Sequence, residues 1–438
     1  MNSIWAETDK RMRFSPLAEN RSTDVLIIGG GIAGILAAYR LKAAGVDCVL
    51  AEAKDICSGI TQNTTAKISL GHSLIYDKLI RRWGEDKARL YADAQIRAGR
   101  AYARLCRSID CDYETADSYV YAHHDREKIE KEITAMHRLG IPAEFSNAEA
   151  LPFKVAGAVR VKEQAQFHPL RFLYTIAEDL PIYEHTKVVE LKPHKAITGH
   201  GEITWKKLIV ATHFPILNRH GGYFLKLYQH RSYVLALRGA PKVDGMYVDE
   251  SDTGLSLRTY GDLLLLGGGG HRTGKPGGCW QELEAYAAKY APGAQIVGKW
   301  ATQDCMTLDG IPYIGQYAGA VPDIFVATGF NKWGMTNAMA AAEILCDLVR
   351  GKPHPAAAVF APSRSILHPQ LAVNALETAV GLLTPTTPRC PHLGCALKYN
   401  RAEHSWDCPC HGSRFTEQGE LMDNPATDDK ICKRNHER

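Results

Sequence analysis

The chain has 438 residues, of which 45% are hydrophobic and 23% are charged, and its formal net charge is +4. This composition is typical of a soluble protein with two or three packed domains, and the small net charge gives no argument for nucleic acid or an acidic membrane as a partner. The segment Met1 to Ser22 has no apolar core of signal-peptide length, and no later segment has the ~18 uninterrupted apolar residues of a spanning helix. We therefore expect a cytoplasmic protein without a membrane span.

Three glycines follow the first apolar strand of the chain. The strand is predicted over Val25 to Ile28, and Gly29, Gly31 and Gly34 have the spacing G-x-G-x-x-G. The first glycine allows a tight turn, the second lets the backbone approach a pyrophosphate, and the third lets the next helix pack close to the strand. The alternative is an ordinary Gly-rich turn in another α/β protein.

A helix and a second strand complete this unit. The helix is predicted from about Ile32 to Ala44, a stretch rich in Ala and Leu that stops at Gly45. Its N-terminus would present free amides to an anion. Glu52 closes the second strand, where a carboxylate can hydrogen-bond a ribose hydroxyl. Because the strand, the glycines, the helix and the terminal acid follow one another at the expected spacing, the sequence predicts a site for an ADP-containing dinucleotide.

The loop from Cys57 to Ser69 is polar and follows the second strand. Its hydroxyls and amides, together with Lys67, suit contacts to a phosphate and a flavin ring. We take Ser58 and Thr65 as candidate cofactor contacts. A solvated loop is the alternative interpretation.

The middle of the chain alternates helical and strand patterns. Helices are predicted over Leu74 to Arg107, over Lys128 to Leu139 and near Leu170, and strands over Lys187 to Leu191 and Lys207 to Thr212. The last strand is short and apolar, which favours a return to the nucleotide-binding sheet.

Antiparallel strands are predicted in the next part, Tyr223 to Leu266, because apolar and polar residues alternate there. Gly267 to Gly270 precede a stretch rich in Gly and Lys-Pro, which favours a hairpin or bend over a second nucleotide loop. The segment from Lys299 to Gly315 is predicted to turn back toward the first sheet. A strand from Asp323, a Gly-containing loop and an Ala-rich helix to Leu348 follow.

Four motifs together resemble the FAD-dependent D-amino-acid oxidase and glycine/sarcosine oxidase superfamily over about Asp24 to Arg350. They are the glycine loop with Glu52, Val-Ala-Thr212, Thr307-x-Asp309-x-x-Pro312-x-x-Gly315, and Ala-Thr-Gly329-Phe-x-x-x-Gly334-Met335. The resemblance implies FAD in a split Rossmann-type domain, an antiparallel-sheet substrate domain over the flavin, and oxidation of amines or amino acids by hydride transfer. Some members attach the flavin through a Cys near the Thr-x-Asp motif, but Cys305 does not match that spacing. We expect non-covalent FAD and a small core residue at Cys305.

The candidate site residues fall into two groups. The predicted cofactor-binding residues are Gly29, Gly31, Gly34, Glu52, Ser58, Thr65, Val188, Thr212, Gly329, Gly334, Met335 and Thr336. The candidates for anchoring a substrate are Lys67, Arg231, Tyr233, Arg258, Tyr260 and Lys332. No catalytic base is assigned, because a deprotonated amine needs no strong base to lose a hydride.

These patterns predict an α/β fold in several segments. The FAD-binding domain is predicted from residues 1–80, 151–215 and 299–350, and the substrate domain from 81–150 and 216–298. Residues 351–388 are predicted to form a linker and a helix, and 389–438 a small C-terminal β module. The helix is predicted from Pro369 to Leu383, and its apolar stripe is interpreted as a packing face; the stripe consists of Ala372, Leu376, Ala379 or Val380, and Leu383.

The C-terminal region contains the strongest signal in the sequence. Twelve cysteines occur in the chain, and four of them crowd one short window with two histidines. Cys390, His392, Cys408 and His411 form the order C-x-H-x15-C-x-x-H, which supplies the two thiolates and two imidazoles of a Rieske [2Fe-2S] centre. A zinc site with the same ligands is one alternative, and an empty, degenerate site is another.

The same region is similar to the cytochrome bc-type Rieske family. The resemblance implies a disulfide between Cys395 and Cys410, a hydroxyl donor to a bridging sulfur at Ser413, and a proline loop over the cluster at Asn424-Pro425-Ala. Phe415 stands where high-potential members have a Tyr donor, so we expect a potential in the lower part of the Rieske range. The strands that usually precede the first ligand loop are absent from the pattern. This predicts an abbreviated domain whose cluster is supported by contacts with the flavoprotein.

Two redox centres suggest an FAD-dependent dehydrogenase with a small-molecule substrate. In this hypothesis, the Rieske centre removes electrons singly and passes them to a one-electron acceptor protein. The reverse direction of electron flow is also open, as are an oxygen-using amine oxidase with a structural or metal-binding C-terminal module and a binding-only role. A Rieske oxygenase is rejected, since it needs a mononuclear iron domain and only Ile431 to Arg438 follow the cluster region.

Overall fold

The structure is a computed structural model that describes residues 3–7, 11–217, 220–386, 388–428 and 431. Both ends of the chain extend beyond the described residues. The predicted modules 1–80 and 389–438 therefore each include positions outside this description.

The helices of the described residues begin and end as follows: α1 Ile32–Ala43, α2 Tyr76–Trp83, α3 Glu85–Leu105, α4 Arg126–Arg138, α5 Pro169–Ala177, α6 Tyr223–Lys226, α7 Cys279–Tyr290, α8 Gly334–Val349, α9 Ala357–Phe360 and α10 Pro369–Leu383. The strands are β1 Arg21–Ile28, β2 Cys48–Ala51, β3 Lys67–Ile68, β4 Glu114–Ala122, β5 Ala143–Ser146, β6 Gly157–Gln166, β7 Ile182–Tyr183, β8 Val188–Lys192, β9 Lys195–Thr198, β10 Gly201–Val210, β11 Leu227–Arg238, β12 Gly245–Asp249, β13 Ser256–Tyr260, β14 Leu263–Arg272, β15 Gln295–Thr307, β16 Tyr313–Ala318, β17 Val321–Thr328, β18 Lys398–Asn400, β19 Ser405–Asp407, β20 Arg414–Thr416 and β21 Leu421–Asp423.

The first sheet has a parallel centre with antiparallel additions. Its main order is β16-β17-β10-β1-β2-β7, and β9 and β8 extend it beside β10. Strand β1 pairs in parallel with β2 and with β10, which confirms the predicted return of the chain to the nucleotide-binding sheet. Residues 25–28 are buried on both faces of this sheet, as their uninterrupted apolar run predicted. Helices α1 and α8 pack against each other and against this sheet.

The second sheet is mainly antiparallel and has the order β15-β11-β14-β13-β12-β4-β6-β3, with β5 beside β6. Only the pair β12 and β4 is parallel among its described pairings. It therefore draws strands from the first half of the chain as well as from the alternating segment after Tyr223. Together, the two sheets give the mixed α/β architecture that the sequence predicted.

The C-terminal module is a four-stranded antiparallel sheet in the order β18-β19-β20-β21. The first ligand loop precedes it and is closed by an isolated bridge between Arg389 and Ala396. All four strands come after the first ligand loop, which agrees with the predicted abbreviated β module. None of the helices in the described ranges combines the length and apolar character that a bilayer span requires.

The helical pattern predicted after Leu74 is confirmed and is divided into two helices, because Gly84 has φ 82° and separates α2 from α3. A turn over residues 273–275 confirms the bend predicted before Gly278, and Gly267 to Gly270 themselves belong to strand β14. The strand is irregular there, since Gly269 has φ 60° and an added Cβ would lie 2.1 Å from the backbone oxygen of Cys279.

One local prediction was wrong, and it concerns α10, whose bounds match the prediction. Its predicted packing stripe is exposed: Leu376, Val380 and Leu383 are 65%, 51% and 82% exposed. The helix instead buries Asn374 and Gly381. It packs through small and polar residues because its inner face lies on the cysteine loops, where little space is left for larger side chains.

Candidate functional site

The glycine loop lies at the carboxyl end of β1, directly beside the end of β10. Gly29 has φ 110°, and an added Cβ would lie 2.5 Å from the backbone oxygen of Ala211. An added Cβ on Gly34 would lie 1.9 Å from the backbone oxygen of Gly29, so this residue sets the close packing of α1. A residue with a side chain fits neither position, which agrees with the steric roles expected for these glycines.

Glu52 follows β2 and faces the same loop. Its carboxylate accepts hydrogen bonds from the backbone nitrogens of Gly30 at 2.6 Å and Lys54 at 2.8 Å. Burial raises the pKa of Glu52, while these amides act in the opposite direction. The carboxylate is thus held rigidly and keeps further lone pairs for hydroxyl donors.

A cavity of about 680 Å³ begins at this loop and extends between the two sheets. Its volume is within the range of small-molecule and cofactor sites. The predicted cofactor residues that line it are Gly29, Gly31, Glu52, Ser58, Thr65, Val188, Thr212, Gly329, Gly334 and Met335. Gly34 lies behind the loop within α1, and Thr336 contacts Nε2 of His72 at 2.9 Å. A glycine cradle, a buried acid and hydroxyl groups along one long cavity fit FAD.

The six substrate candidates are divided by the structure. Lys67, Tyr233 and Lys332 line the cavity. Arg258 instead donates hydrogen bonds to the backbone oxygens of Thr65 and Ala66 at 2.7 and 2.8 Å, so it supports the cavity wall from behind.

The other two candidates also have partners outside the cavity lining. Tyr260 donates to Asp112, and Arg231 forms a buried ion pair with Glu403 of the C-terminal module. No arginine is among the described residues that line the cavity. The positive groups available to a substrate there are consequently lysines.

Lys67 is placed to act as a tunable cation in the cavity. Its Nζ donates to Oγ of Ser256 at 2.6 Å and Oγ1 of Thr65 at 2.9 Å. Burial lowers the pKa of Lys67 to about 7, and the charge of Arg258 acts in the same direction. Burial also lowers the pKa of Lys332, but Asp304 and Asp252 oppose that shift.

Sequence reasoning missed Ser256 and Asp304, which both line the cavity. Asp304 lies within strand β15. An acidic residue inside a predicted strand was the feature of the sequence that could have identified it as a site residue. Cys305, expected to be a small core residue, is 2% exposed and also borders the cavity. Burial raises the pKa of its thiol to about 12, so it is a weak nucleophile.

The four predicted metal ligands come together in the C-terminal module. The rings of His392 and His411 lie 5.0 Å apart between centroids and are nearly perpendicular. Burial lowers the pKa of His392 to about 4 and that of His411 to about 3, so both imidazoles are neutral, as metal ligands must be. The thiols of Cys390 and Cys408 contact each other, and this contact together with backbone amides lowers the pKa of Cys408.

A disulfide joins the two ligand loops at Cys395 and Cys410, as the family resemblance implied. The Ser413 hydroxyl contacts the Cys390 thiol and accepts a hydrogen bond from the backbone nitrogen of Ala426 at 3.0 Å. These groups form a buried pocket with two sulfur and two nitrogen ligands, which fits a [2Fe-2S] cluster of the Rieske type.

The module docks on the antiparallel sheet next to the cavity. Arg272 donates to the backbone oxygens of Pro409 and Cys410 at 3.2 and 3.1 Å, and Gln303 donates to that of Gly412 at 2.9 Å. Residues 421–424 and 426–427 of the module line the cavity itself. The candidate metal pocket and the candidate cofactor cavity are therefore neighbours.

Comparison with known proteins agrees with these two sites. Residues 24–348 match the family model described as FAD dependent oxidoreductase (DAO), and residues 366–433 match the Rieske [2Fe-2S] domain. The protein YhfW of Bacillus subtilis (strain 168) is 34% identical over 97% of this chain and 96% of its own length.

Two further proteins resemble the flavoprotein part. Gamma-glutamylputrescine oxidoreductase of Escherichia coli (strain K12) is 26% identical over 79% of this chain and 88% of its own length. The crystal structure of glycine oxidase from Geobacillus kaustophilus superposes with a TM-score of 0.66 at 19% identity, covering 79% of this chain and all of the other. The second likeness concerns the fold alone.

Proposed function

This chain belongs to the DAO family of FAD-dependent oxidoreductases and carries a C-terminal Rieske domain, and from that premise we propose that it is a dehydrogenase of a small amine or amino acid. Electrons leave through the [2Fe-2S] centre to an external one-electron acceptor protein. FAD supplies hydride acceptance and the cluster supplies one-electron transfer.

The observation that carries this proposal is the shared wall of the two sites. Thr212 and His213 of the flavoprotein and Asn424 and Ala426 of the Rieske module line one cavity. A module with a purely structural role does not require its proline loop to line the cofactor cavity. An electron-transfer module needs this proximity.

The chain's own residues bind and orient the substrate in this proposal. Lys67, held by Ser256, offers a cation to a carboxylate when it is protonated and accepts a proton from an ammonium group when it is neutral. Tyr233 borders the same space. Because the E. coli relative bears the name of a γ-glutamylputrescine oxidoreductase, γ-glutamylated amines belong in a substrate panel beside amino acids and simple amines.

Two measurements test the proposal. The purified protein is expected to contain FAD, iron and acid-labile sulfide. If it contains zinc in place of iron, the site is not an iron-sulfur centre. Anaerobic addition of substrates from the panel is then expected to bleach the flavin and reduce the cluster, with a reduced-cluster EPR signal.

The variant Cys408→Ser separates this function from an oxygen-using oxidase. We expect it to lose substrate-dependent reduction of a one-electron acceptor while substrate still bleaches the flavin. Stoichiometric peroxide in air, undiminished in Cys408→Ser, would instead assign the oxidase reaction and a structural role for the module.

A further inference from the structure

A thin wall separates the cofactor cavity from the cluster ligands. It consists of Thr212, His213 and Phe214, which follow strand β10. Thr212 and His213 line the cavity, whereas the fully buried ring of Phe214 lies against the candidate ligands. Asn424 of the Rieske module fastens this wall, because its side chain donates to the backbone oxygens of Thr212 at 2.6 Å and Phe214 at 2.9 Å.

Gln229 joins the same wall to a cluster-ligand loop. Its side-chain oxygen accepts a hydrogen bond from Nε2 of His213 at 3.0 Å, and its side-chain nitrogen donates to the backbone oxygen of Asn424 at 2.9 Å. Gln229 also packs on Gly412, where an added Cβ would lie 2.5 Å from the Cβ of Gln229. Gly412 directly follows the ligand His411. At 1% exposure, this amide bridges both modules out of contact with water.

Phe214 is the residue of the wall that contacts both imidazoles. Its ring centroid lies 6.3 Å from that of His392 and 6.5 Å from that of His411. His411 is 1% exposed, and His392 is partly exposed. The wall therefore meets the cluster at its interior side, and His392 is the ligand nearer to solvent. Phe224 also contacts His411, at 6.3 Å, but its chain neighbours Tyr223 and Leu225 do not line the cavity, whereas His213 beside Phe214 does.

We propose that His213 and Phe214 form the junction through which electrons pass between the cofactor and the cluster, and that Gln229 is the positioning residue that holds this junction. This inference rests on the proposed function and adds the route. Oxidation of one substrate molecule releases two electrons, which cross the junction one at a time. Each electron reduces one ferric ion of the cluster to ferrous, and the external acceptor takes up that electron before the second one crosses. The substrate protons go to solvent.

The route predicts that electron transfer depends on a small set of side chains. In Gln229→Met, the volume is nearly kept while both side-chain hydrogen bonds are lost, so His213 is no longer tied through residue 229 to Asn424. In Phe214→Leu, the aromatic contact to both imidazoles is removed. The matched control is Phe224→Leu, which removes the other aromatic contact to His411 at a residue whose chain neighbours do not line the cavity.

The experiment uses the full-length holoprotein and no substrate. The flavin is reduced by a light pulse under anaerobic conditions with oxalate as the sacrificial electron donor, and the rate of cluster reduction is followed optically. EPR g-values and the cluster midpoint potential are recorded for each variant. We expect the transfer rate to fall by about tenfold or more in Gln229→Met and Phe214→Leu, a factor that corresponds to about 1.4 kcal/mol, with the EPR spectrum retained and the rate of Phe224→Leu close to wild type.

The outcomes separate the inference from the function on which it rests. If the wild-type protein transfers no electron from flavin to cluster, the proposed function fails. If wild type transfers and Gln229→Met transfers equally fast, or if Phe224→Leu slows transfer as much as Phe214→Leu, the route is wrong while the function stands. Gln229→Met decides the question where Phe214→Leu does not fold.

Discussion

Lys67 is a buried cation whose charge is set by its surroundings. It has hydroxyl partners at Thr65 and Ser256, and the buried Arg258 supports the backbone behind it. Burial lowers the pKa of Lys67 to about 7. A lysine with this pKa changes its charge near neutral pH, which gives the cavity a pH-dependent preference between anionic and neutral ligands.

This charge predicts how a carboxylate binds. Lys67 is protonated below its pKa, so affinity for a probe such as acetate is expected to be highest below pH 7 and to fall as the pH rises through about 7. This affinity is measured from the changes in flavin absorbance on titration with acetate at several pH values. In Lys67→Gln the pH dependence should disappear. The control Lys332→Gln removes a cavity lysine beside Asp304 and Asp252, and it should keep the pH dependence; a flat wild-type profile would contradict the role of Lys67.

The element that most directly supports the cluster pocket is helix α10. Its residue Gly381 lies on the disulfide, since an added Cβ would be 2.5 Å from Sγ of Cys410. The backbone oxygen of Gly381 also accepts a hydrogen bond from Ala396 at 2.9 Å. The inner face of the helix is therefore part of the pocket wall, which compensates for the strands missing from this abbreviated module.

A pair of glycine substitutions tests this contact. Gly381→Ala favours the helical backbone but forces a methyl group onto the disulfide, and we expect lower iron content and a lower melting temperature. Gly99→Ala in α3 is the matched control, because an added Cβ there has no neighbour within 4 Å. It should stabilise the protein by about 0.5–1 kcal/mol with unchanged iron content. Full iron content and an unchanged melting temperature in Gly381→Ala would show that α10 does not support the pocket.

At the scale of the whole molecule, a buried charge network locks the Rieske module to the flavoprotein. Glu403 of the module pairs with Arg231 of β11 and with Arg414. Burial opposes its ionisation, but the charges of Arg231 and Arg414 outweigh that effect and lower the pKa of Glu403 to about 2. Tyr233, which borders the cavity, also donates to Glu403 at 2.9 Å. We therefore expect the two modules to unfold together.

Removing this carboxylate should be costly. Glu403→Gln leaves Arg231 buried without its partner, and breaking a buried pair in this way destabilises by about 3–5 kcal/mol. The surface pair Lys299–Glu284 provides the control, since Glu284→Gln should change stability by about 1 kcal/mol or less. Urea unfolding of both variants at pH 7 gives the comparison, and equal small losses would contradict the lock.

The same carboxylate predicts acid sensitivity. Because its folded pKa is below the ordinary value of 4.5, its contribution to stability is fully present above pH 4.5. That contribution is lost as the pH falls toward about 2. The stability difference between wild type and Glu403→Gln should therefore shrink over this acid range.

The sequence alone determined the two cofactor units, because each is encoded locally. A strand, three glycines, a helix and Glu52 lie within about thirty residues of one another, and their spacing sets backbone geometry directly. The ligand order of Cys390, His392, Cys408 and His411 is equally local. The bounds of α10 were also predictable, since Pro369 begins it and the apolar pattern ends at Leu383.

The tertiary structure decided which faces of those elements meet. Arg231 was a substrate candidate by residue type, yet it pairs with Glu403, which is 172 residues away in the chain. The apolar stripe of α10 was expected to pack and is exposed, because Gly381 and Asn374 occupy the inner face. Local periodicity reports that a helix or strand has a buried side, but the partner of that side depends on distant charge, volume and hydrogen-bonding groups. The placement of the Rieske module against the cofactor cavity is a long-range result of this kind.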